Sequence, residues 1–235
     1  VFTPYFDWYD RDAPPGQPNL GNNAFRIRPD YWFDASIPLT LRSPQWHARE
    51  LNRMVDAGID VVLPDYWGGD QRRLPGACFW SNLSLEMMAS ALDFSGRGLR
   101  VGMFYDTNTL EAYTDLATNV SWPKVNLGSP AGIDQFYATI RDFYSRIPPR
   151  RWARIDGRAI VWLYQSNNPA NVTGSKKAFD EARRRFAREF GGVGLYFIGN
   201  TGWKGSDRQL LVDMTYAWGA ACKSTGLIDA YDVVS

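Results

Sequence analysis

Cysteine, histidine, net charge and long apolar runs are all scarce in this chain. The 235 residues hold two cysteines, Cys78 and Cys222, which make neither a disulfide framework nor a metal cluster. They follow the second and sixth expected strands, and a disulfide needs Cα atoms within about 7 Å, so they are expected to stay unpaired. Twenty-six basic residues stand against twenty-five acidic ones, a formal charge of +1, so no global field recruits nucleic acid or an anionic membrane surface. No run of about eighteen apolar residues is present to span a bilayer. The chain opens on Val1-Phe2-Thr3-Pro4 without a basic leader or cleavage site, so any targeting segment is expected to lie upstream or to have been removed. Asn82, Asn119 and Asn171 each begin an Asn-x-Ser/Thr sequon, too common a match to fix a compartment; an extracellular or periplasmic one is favoured. Absent too are a Gly-x-Gly-x-x-Gly after the first strand and a Walker sequence, which leaves no dinucleotide or nucleotide signature.

Aromatic residues are abundant: ten Trp, twelve Tyr and thirteen Phe, 15% of the chain. Two readings stand side by side. The rings either fill a large core and its loops, or some form platforms on which sugar rings pack their C–H faces.

The periodicity alternates between strand and helix. Val1 to Trp8 reads as a strand, and Asp10 to Pro38 as a loop long enough to be a lid or binding loop, with Tyr31, Trp32 and Phe33 at its tip. Ser43-Pro44 is a cap followed by proline at the first helical position, and Trp46, Leu51, Met54 and Val55 give the helix an apolar face up to Gly58. Ile59 to Leu63 is a buried strand that delivers Asp65, Tyr66 and Trp67. Ser84 is expected to cap a second helix, Leu99 to Tyr105 is a strand delivering Asp106, and Thr107 to Gly132 reads as a loop. Ile133 to Tyr144 is helical until Pro148-Pro149, Ile155 to Arg158 is a turn, and Ala159 to Tyr164 a strand. Ser175 to Phe190 is helical, Val193 to Ile198 a strand ending near Asn200, and Met214 to Trp218 a further strand. Helical crossovers between strands imply a parallel sheet. The predicted fold is therefore α/β, a (β/α)8 TIM-barrel type within a single domain, truncated after about six strands and incomplete at the C-terminal side.

In a barrel the residues just past each strand converge on one mouth. Here they are Asp7, Trp8, Tyr9, Asp10, Asp65, Tyr66, Trp67, Tyr105, Asp106, Glu111, Tyr164, Gln165, Asn200, Trp203, Tyr216 and Trp218. Acids, amides and aromatics with hardly a Lys or His describe a pocket for neutral polyhydroxyl compounds, in which carboxylates bond hydroxyls and two of them can supply acid/base or nucleophilic work. Asp106 and Asp65 are the candidate catalytic residues, with helix capping or loop tethering as their structural alternative. Tyr5, Asp7, Trp8, Tyr66, Trp67, Tyr105, Tyr164, Asn200 and Trp218 are the candidate substrate contacts. His47 lies inside the first helix and reads as structural. Asp10-Arg11-Asp12 matches the Asp-x-Asp of metal-dependent sugar transferases, although a solvated acidic loop explains it as well. Neither a cofactor nor a metal is called for.

Pro4-Tyr5-Phe6-Asp7-Trp8-Tyr9, the His47 and Met54 helix running into Ala57-Gly58-Ile59-Asp60, Tyr66-Trp67-Gly68, and Gly98-Leu99-Arg100-Val101 together resemble the N-terminal two thirds of endo-α-mannosidase-like (β/α)8 glycoside hydrolases, glycoside hydrolase family 99, and their bacterial relatives. The resemblance implies a glycoside hydrolase-like domain that binds, and hydrolyses, an oligosaccharide or polysaccharide at its C-terminal mouth. A non-catalytic carbohydrate-binding domain on the same scaffold is the alternative. Two departures matter: Asp106-Thr107-Asn108 stands where many relatives have Glu-Pro-Tyr, and no Asn-Glu-Trp-x-Glu-like segment occurs before Ser235, so the resemblance carries over no catalytic Glu and implies that the acid/base pair lies beyond the chain end.

Overall fold

A computed structural model describes residues 1–6, 40–68, 77–110, 113–115, 120–122, 124–164, 175–200, 202–203 and 210–216. Asp7, Trp8, Tyr9, Asp10, Asp12, the 31–33 tip, Glu111, Trp218 and Cys222 lie outside these residues. The chain divides into two compact units, Val1–Val101 with Asp142–Trp152, and Gly102–Arg141 with Ala153–Ser235.

In the first unit, β1 (Phe2–Tyr5) pairs in parallel with β2 (Val61–Tyr66), and β2 with β3 (Arg100–Val101). Between β1 and β2 runs α1 (Pro44–Asp56). Its start is the predicted one, with Ser43 Oγ accepting from the Trp46 amide at 3.2 Å and Pro44 in the first turn. It stops at Gly58, whose φ of +77° suits a residue without Cβ. The Gly58 amide then bonds Val55 O and the Ile59 amide bonds Met54 O, both at 2.9 Å, the paired closure of a Schellman end.

Helix α2 (Ala77–Ala91) begins well before Ser84. Ser84 therefore caps nothing and is a fully buried residue within the helix. The entering Ala77-Cys78-Phe79-Trp80 carries no cap residue and no polar stripe, so its helical phase is hidden in the sequence.

Two buried polar groups tie these elements together. His47 Nε2 lies 3.0 Å from Leu41 O, and a carbonyl can only accept, so Nε2 carries the proton. Nδ1 is then the acceptor for the Tyr5 hydroxyl at 3.0 Å, and Ser84 Oγ lies 3.4 Å from Nε2. His47 is accordingly a structural link between β1, α1 and α2.

Tyr66 is the second group. Its hydroxyl sits 2.6 Å from Asn82 Oδ1 and in hydrogen-bond contact with Asp142, while its ring meets Phe143 edge-on at 5.4 Å. A phenol has one proton, and Asp142 is the stronger acceptor. Both contacts are satisfied when the Asn82 carboxamide turns its NH2 to the phenol oxygen. Burial first, and then Asp142, push the Tyr66 pKa up. Arg146 closes the network by bonding Asp142 at 3.1 Å and reaching Glu86 of α2. Tyr66→Phe is expected to cost about 1 kcal/mol in chemical denaturation, because it removes the buried hydroxyl's bonds to the half-buried Asn82 and Asp142. An unchanged midpoint would show that water replaces the hydroxyl.

In the second unit, β4 (Met103–Tyr105), β8 (Arg158–Leu163), β9 (Leu195–Gly199) and β10 (Met214–Thr215) pair in parallel in that order. The intervening short strands are β5 (Tyr113–Asp115), β6 (Val120–Trp122) and β7 (Arg154–Ile155). Helix α3 (Pro130–Arg146) connects β4 to the β7–β8 hairpin, and α4 (Ser175–Glu189) connects β8 to β9. The expected turn at Asp156-Gly157 is present, with positive φ at both residues, as a two-residue hairpin loop requires.

Part of the stretch expected to be loop is structured. Thr107–Leu110 forms a 3₁₀ turn, and β5 pairs with β6 as an antiparallel hairpin, its excursion closed where the Val125 amide bonds Leu110 O at 2.8 Å. Phe136 of α3, Phe179 of α4 and Phe197 of β9 pack with centroids 4.7–6.1 Å apart. Asp213 fixes the approach to β10 by accepting from the Phe197 amide at 2.8 Å, Arg158 at 2.7 Å and Arg183 at 3.2 Å.

Within each unit parallel strands are added in chain order through helical crossovers. That is the order of a (β/α) barrel, and not of a doubly wound sheet, where the order reverses at a switch point. The fold class is α/β of the TIM-barrel type. No helix among the described residues is long and apolar enough to cross a membrane.

Candidate functional site

Strand register places one row of residues at the carboxyl ends of the second unit's parallel strands. Tyr105 pairs with Leu163, Trp162 with Ile198, and Thr215 with Gly199. Each ladder continues past its last pair, since the Tyr164 amide bonds Tyr105 O and the Tyr216 amide bonds Gly199 O, both at 3.0 Å. One residue further on, Asp106, Tyr164, Asn200 and Tyr216 stand level across four adjacent strands.

Alternation along a strand decides which face they occupy. Tyr105 stacks on Phe136 of α3, and Phe197 packs on Phe136 and Phe179, so these rings face the helices. Asp106 and Asn200, an odd number of residues away, belong to the opposite face. Tyr164 lies on that face against Phe104 at 5.7 Å, and Tyr216 lies against Trp162 at 4.7 Å. The face thus carries one acid, one amide and four aromatics.

Local bonding fixes each member. The Asp106 carbonyl accepts from the Thr109 amide and hydroxyl, at 3.2 and 2.9 Å, which anchors the 3₁₀ turn, while Asp106 itself is only 4% exposed. Asn200 Oδ1 accepts from the Gly202 amide at 3.0 Å, so the carboxamide NH2 remains the donor group of that side chain. The Tyr216 hydroxyl donates to Leu163 O at 2.8 Å and touches Tyr164 O. Its pKa is raised by burial above all, with the negative charge of Asp106 adding to the rise. Tyr216 therefore remains a protonated donor, pinned between two strands beside the acid.

In the first unit, Asp65 is 2% exposed and its Oδ2 accepts from the Trp67 indole N–H at 3.1 Å. Trp67 is half-buried, and its amide bonds Ser81 Oγ of α2 at 3.0 Å. Asp65 thus holds the Trp67 ring, and by alternation it lies on the strand face opposite Tyr66.

Of the residues assigned to substrate from the sequence, Tyr164 and Asn200 join Asp106 in the row. Tyr5, Tyr66 and Tyr105 do not reach a strand end facing away from the helices. Tyr5 is committed to His47 and stacks on Trp46 at 6.1 Å, Tyr66 to Asn82 and Asp142, and Tyr105 to Phe136. A one-residue step along a strand reverses the face, and that step separates Tyr66 from Asp65 and Tyr105 from Asp106. Trp162 was missed. The signal was available, for it lies two residues before Tyr164 and so shares its face.

No curated protein sequence matches the chain. Among solved structures it is similar to an endo-alpha-mannosidase of glycoside hydrolase family 99 from Bacteroides thetaiotaomicron, at 16% identity and a TM-score of 0.47 over 85% of this chain and 54% of that one. A complex of that enzyme with bis-tris-propane gives 17% and 0.47 over 94% and 59%. A glycoside hydrolase-like protein gives 18% and 0.45 over 68% and 44%. The chain thus spans about half the length of the structures it matches. A family model described as Domain of unknown function (DUF5010) matches residues 13–231, nearly the whole length, and the chain belongs to that family.

Proposed function

We propose that this chain is a glycoside hydrolase-like domain that binds a neutral oligosaccharide or polysaccharide at the carboxyl ends of its parallel strands. The observation that carries the reading is the level row of Asp106, Tyr164, Asn200 and Tyr216 on one face of the second unit's sheet. A carboxylate accepts from two vicinal hydroxyls, a carboxamide donates to a ring or hydroxyl oxygen, and tyrosine rings cover apolar C–H faces. A phosphate pocket would instead use cations or a nest of backbone amides.

The finer reading, an endo-α-mannosidase-like hydrolase, is supported by the Tyr66-Trp67-Gly68 and Gly98-Leu99-Arg100-Val101 segments. Hydrolysis of a glycosidic bond takes two carboxyl groups; Asp106 in the second unit and Asp65 in the first are each proposed as a candidate, each at the end of its own strand. Asp7, Trp8 and Trp218 are proposed as further contacts from their sequence positions, and Trp67 as a ring held ready by Asp65. Tyr5, Tyr66 and Tyr105 are left out, since their contacts are with helices.

Asp106→Asn keeps the shape of the side chain and removes its charge. It is expected to weaken polysaccharide binding, measured by affinity electrophoresis and calorimetry, more than tenfold, about 1.4 kcal/mol. Unchanged affinity and turnover would remove Asp106 from the site.

A further inference from the structure

We propose that Trp162 is the stacking platform of this site, so that its ligand is a neutral hexopyranoside seated with an apolar C–H face on the indole. The inference rests on the carbohydrate reading above and goes further, because it names the residue that selects for a ring with an unbroken apolar face.

Trp162 sits in β8 on the same face as Tyr164, one layer beneath the Asp106–Tyr164–Asn200–Tyr216 row. Its neighbours on that face are buried: Phe104, its register partner in β4, is 1% exposed, and Ile198, its partner in β9, is 1% exposed. Trp162 itself is half-buried, although residues on either side of it in the strand, Val161 and Leu163, are fully covered. An indole left partly open in the middle of a parallel strand is costly, at roughly 25 cal/mol for each Å² of apolar surface left in water.

The ring is also held. Tyr216 packs on it at 4.7 Å with the planes inclined by 42°, and the Tyr216 hydroxyl is itself tied to the Leu163 and Tyr164 carbonyls. Tyr216 therefore backs one side of the indole. Asp106 and Asn200 stand one step along the neighbouring strands on the same face. They are placed to take the equatorial hydroxyls at the rim of a ring whose underside rests on Trp162. Rigid aromatic platforms bind at low entropic cost, because little is left to immobilise.

The test uses affinity electrophoresis on yeast mannan, konjac glucomannan and barley β-glucan, with the full chain and Trp162→Leu, Trp162→Phe and Asp106→Asn variants. Each variant's fold is checked by its melting curve. Trp162→Leu keeps apolar bulk without an aromatic face and is expected to lose more than tenfold in affinity for the polysaccharide that wild type binds. Trp162→Phe is expected to retain most of it. If Asp106→Asn weakens binding while Trp162→Leu binds as wild type does, the platform is overturned and the site stands. If Trp162→Leu does not fold, the folded Trp162→Phe variant carries the test, and a loss of more than tenfold in it overturns the platform, since an aromatic face then does not suffice. If wild type binds none of the three polysaccharides, the carbohydrate reading falls and the platform with it.

Discussion

Gly132→Ala is expected to destabilise the protein by about 4 kcal/mol, at the upper end of overpacking effects, and to lower the melting temperature by on the order of 10 °C. The residue lies in the first turn of α3, where the chain folds back on itself. A Cβ there would stand 1.9 Å from the Asn126 carbonyl oxygen and 2.6 Å from its carbon. These are main-chain atoms, so no side-chain rotation relieves the clash. Nor can the turn move away freely. The Ser129 amide and hydroxyl both donate to Asn126 O, at 3.0 and 2.8 Å, the Gly128 amide bonds Asn126 Oδ1 at 2.8 Å, and Ser129 Oγ receives the Gly132 amide at 3.1 Å. Ser129 is thus the cap of α3, and pushing Asn126 aside would open both the cap and the turn. Differential scanning calorimetry reads the effect directly. A melting temperature within a degree or two of wild type would show that the Asn126–Ser129 turn yields without cost.

That position also marks where sequence reading reached its limit. Gly132 was legible as a glycine ending a loop, whereas α3 begins two residues earlier at Pro130. The start of that helix was nevertheless written in Ser129-Pro130, a cap and proline of the Ser43-Pro44 kind; what no periodicity encodes is that position 132 stands against the Asn126 carbonyl. The same division runs through the fold. The α1 start at Ser43-Pro44, its Gly58 stop and the Asp156-Gly157 turn were readable, because caps and turns are local chemistry written in single residues. The parallel, chain-ordered strands followed from alternation of period. Ser84 misled, because a serine suits a helix start, and nothing in the sequence says that it lies buried beside His47.

At the site, sequence reading gathered every residue near a strand end, including tyrosines on both faces. Only register and alternation sort Asp106, Tyr164 and Asn200 from Tyr66 and Tyr105. Sorting needs the strand's phase to within one residue, and the boundaries read from the sequence were looser than that. The second strand was expected to end at Leu63, whereas it runs through Tyr66.

His47 should make the protein acid-labile well above the range where carboxylates titrate. Burial dominates its environment and lowers its pKa to about 4, against 6.5 for the free side chain, with the Leu41 carbonyl opposing the shift. In the fold the ring is neutral at pH 6, while the unfolded chain takes up a proton there. The unfolded state therefore binds more protons between pH 6.5 and 4, so stability is fully present above the upper value and declines as pH falls toward the lower one. Linkage puts the loss across this window on the order of 3 kcal/mol. The cause is geometric. Protonating Nδ1 would set an N–H against the Tyr5 hydroxyl at 3.0 Å, reversing that bond, and would leave a charge between α1 and α2 with no acid among its hydrogen-bond partners, Leu41, Tyr5 and Ser84. His47→Gln supplies an uncharged donor and acceptor of similar reach. It is expected to be less stable than wild type at pH 7 by about 1–2 kcal/mol, since a buried hydrogen bond is remade imperfectly. Its stability should nevertheless change less between pH 6.5 and 4.5. Urea midpoints of both proteins across that range measure the difference, and the carboxylates common to the two cancel. Parallel pH profiles would show that His47 takes up its proton alike in the folded and unfolded chain, which would overturn this account of acid lability.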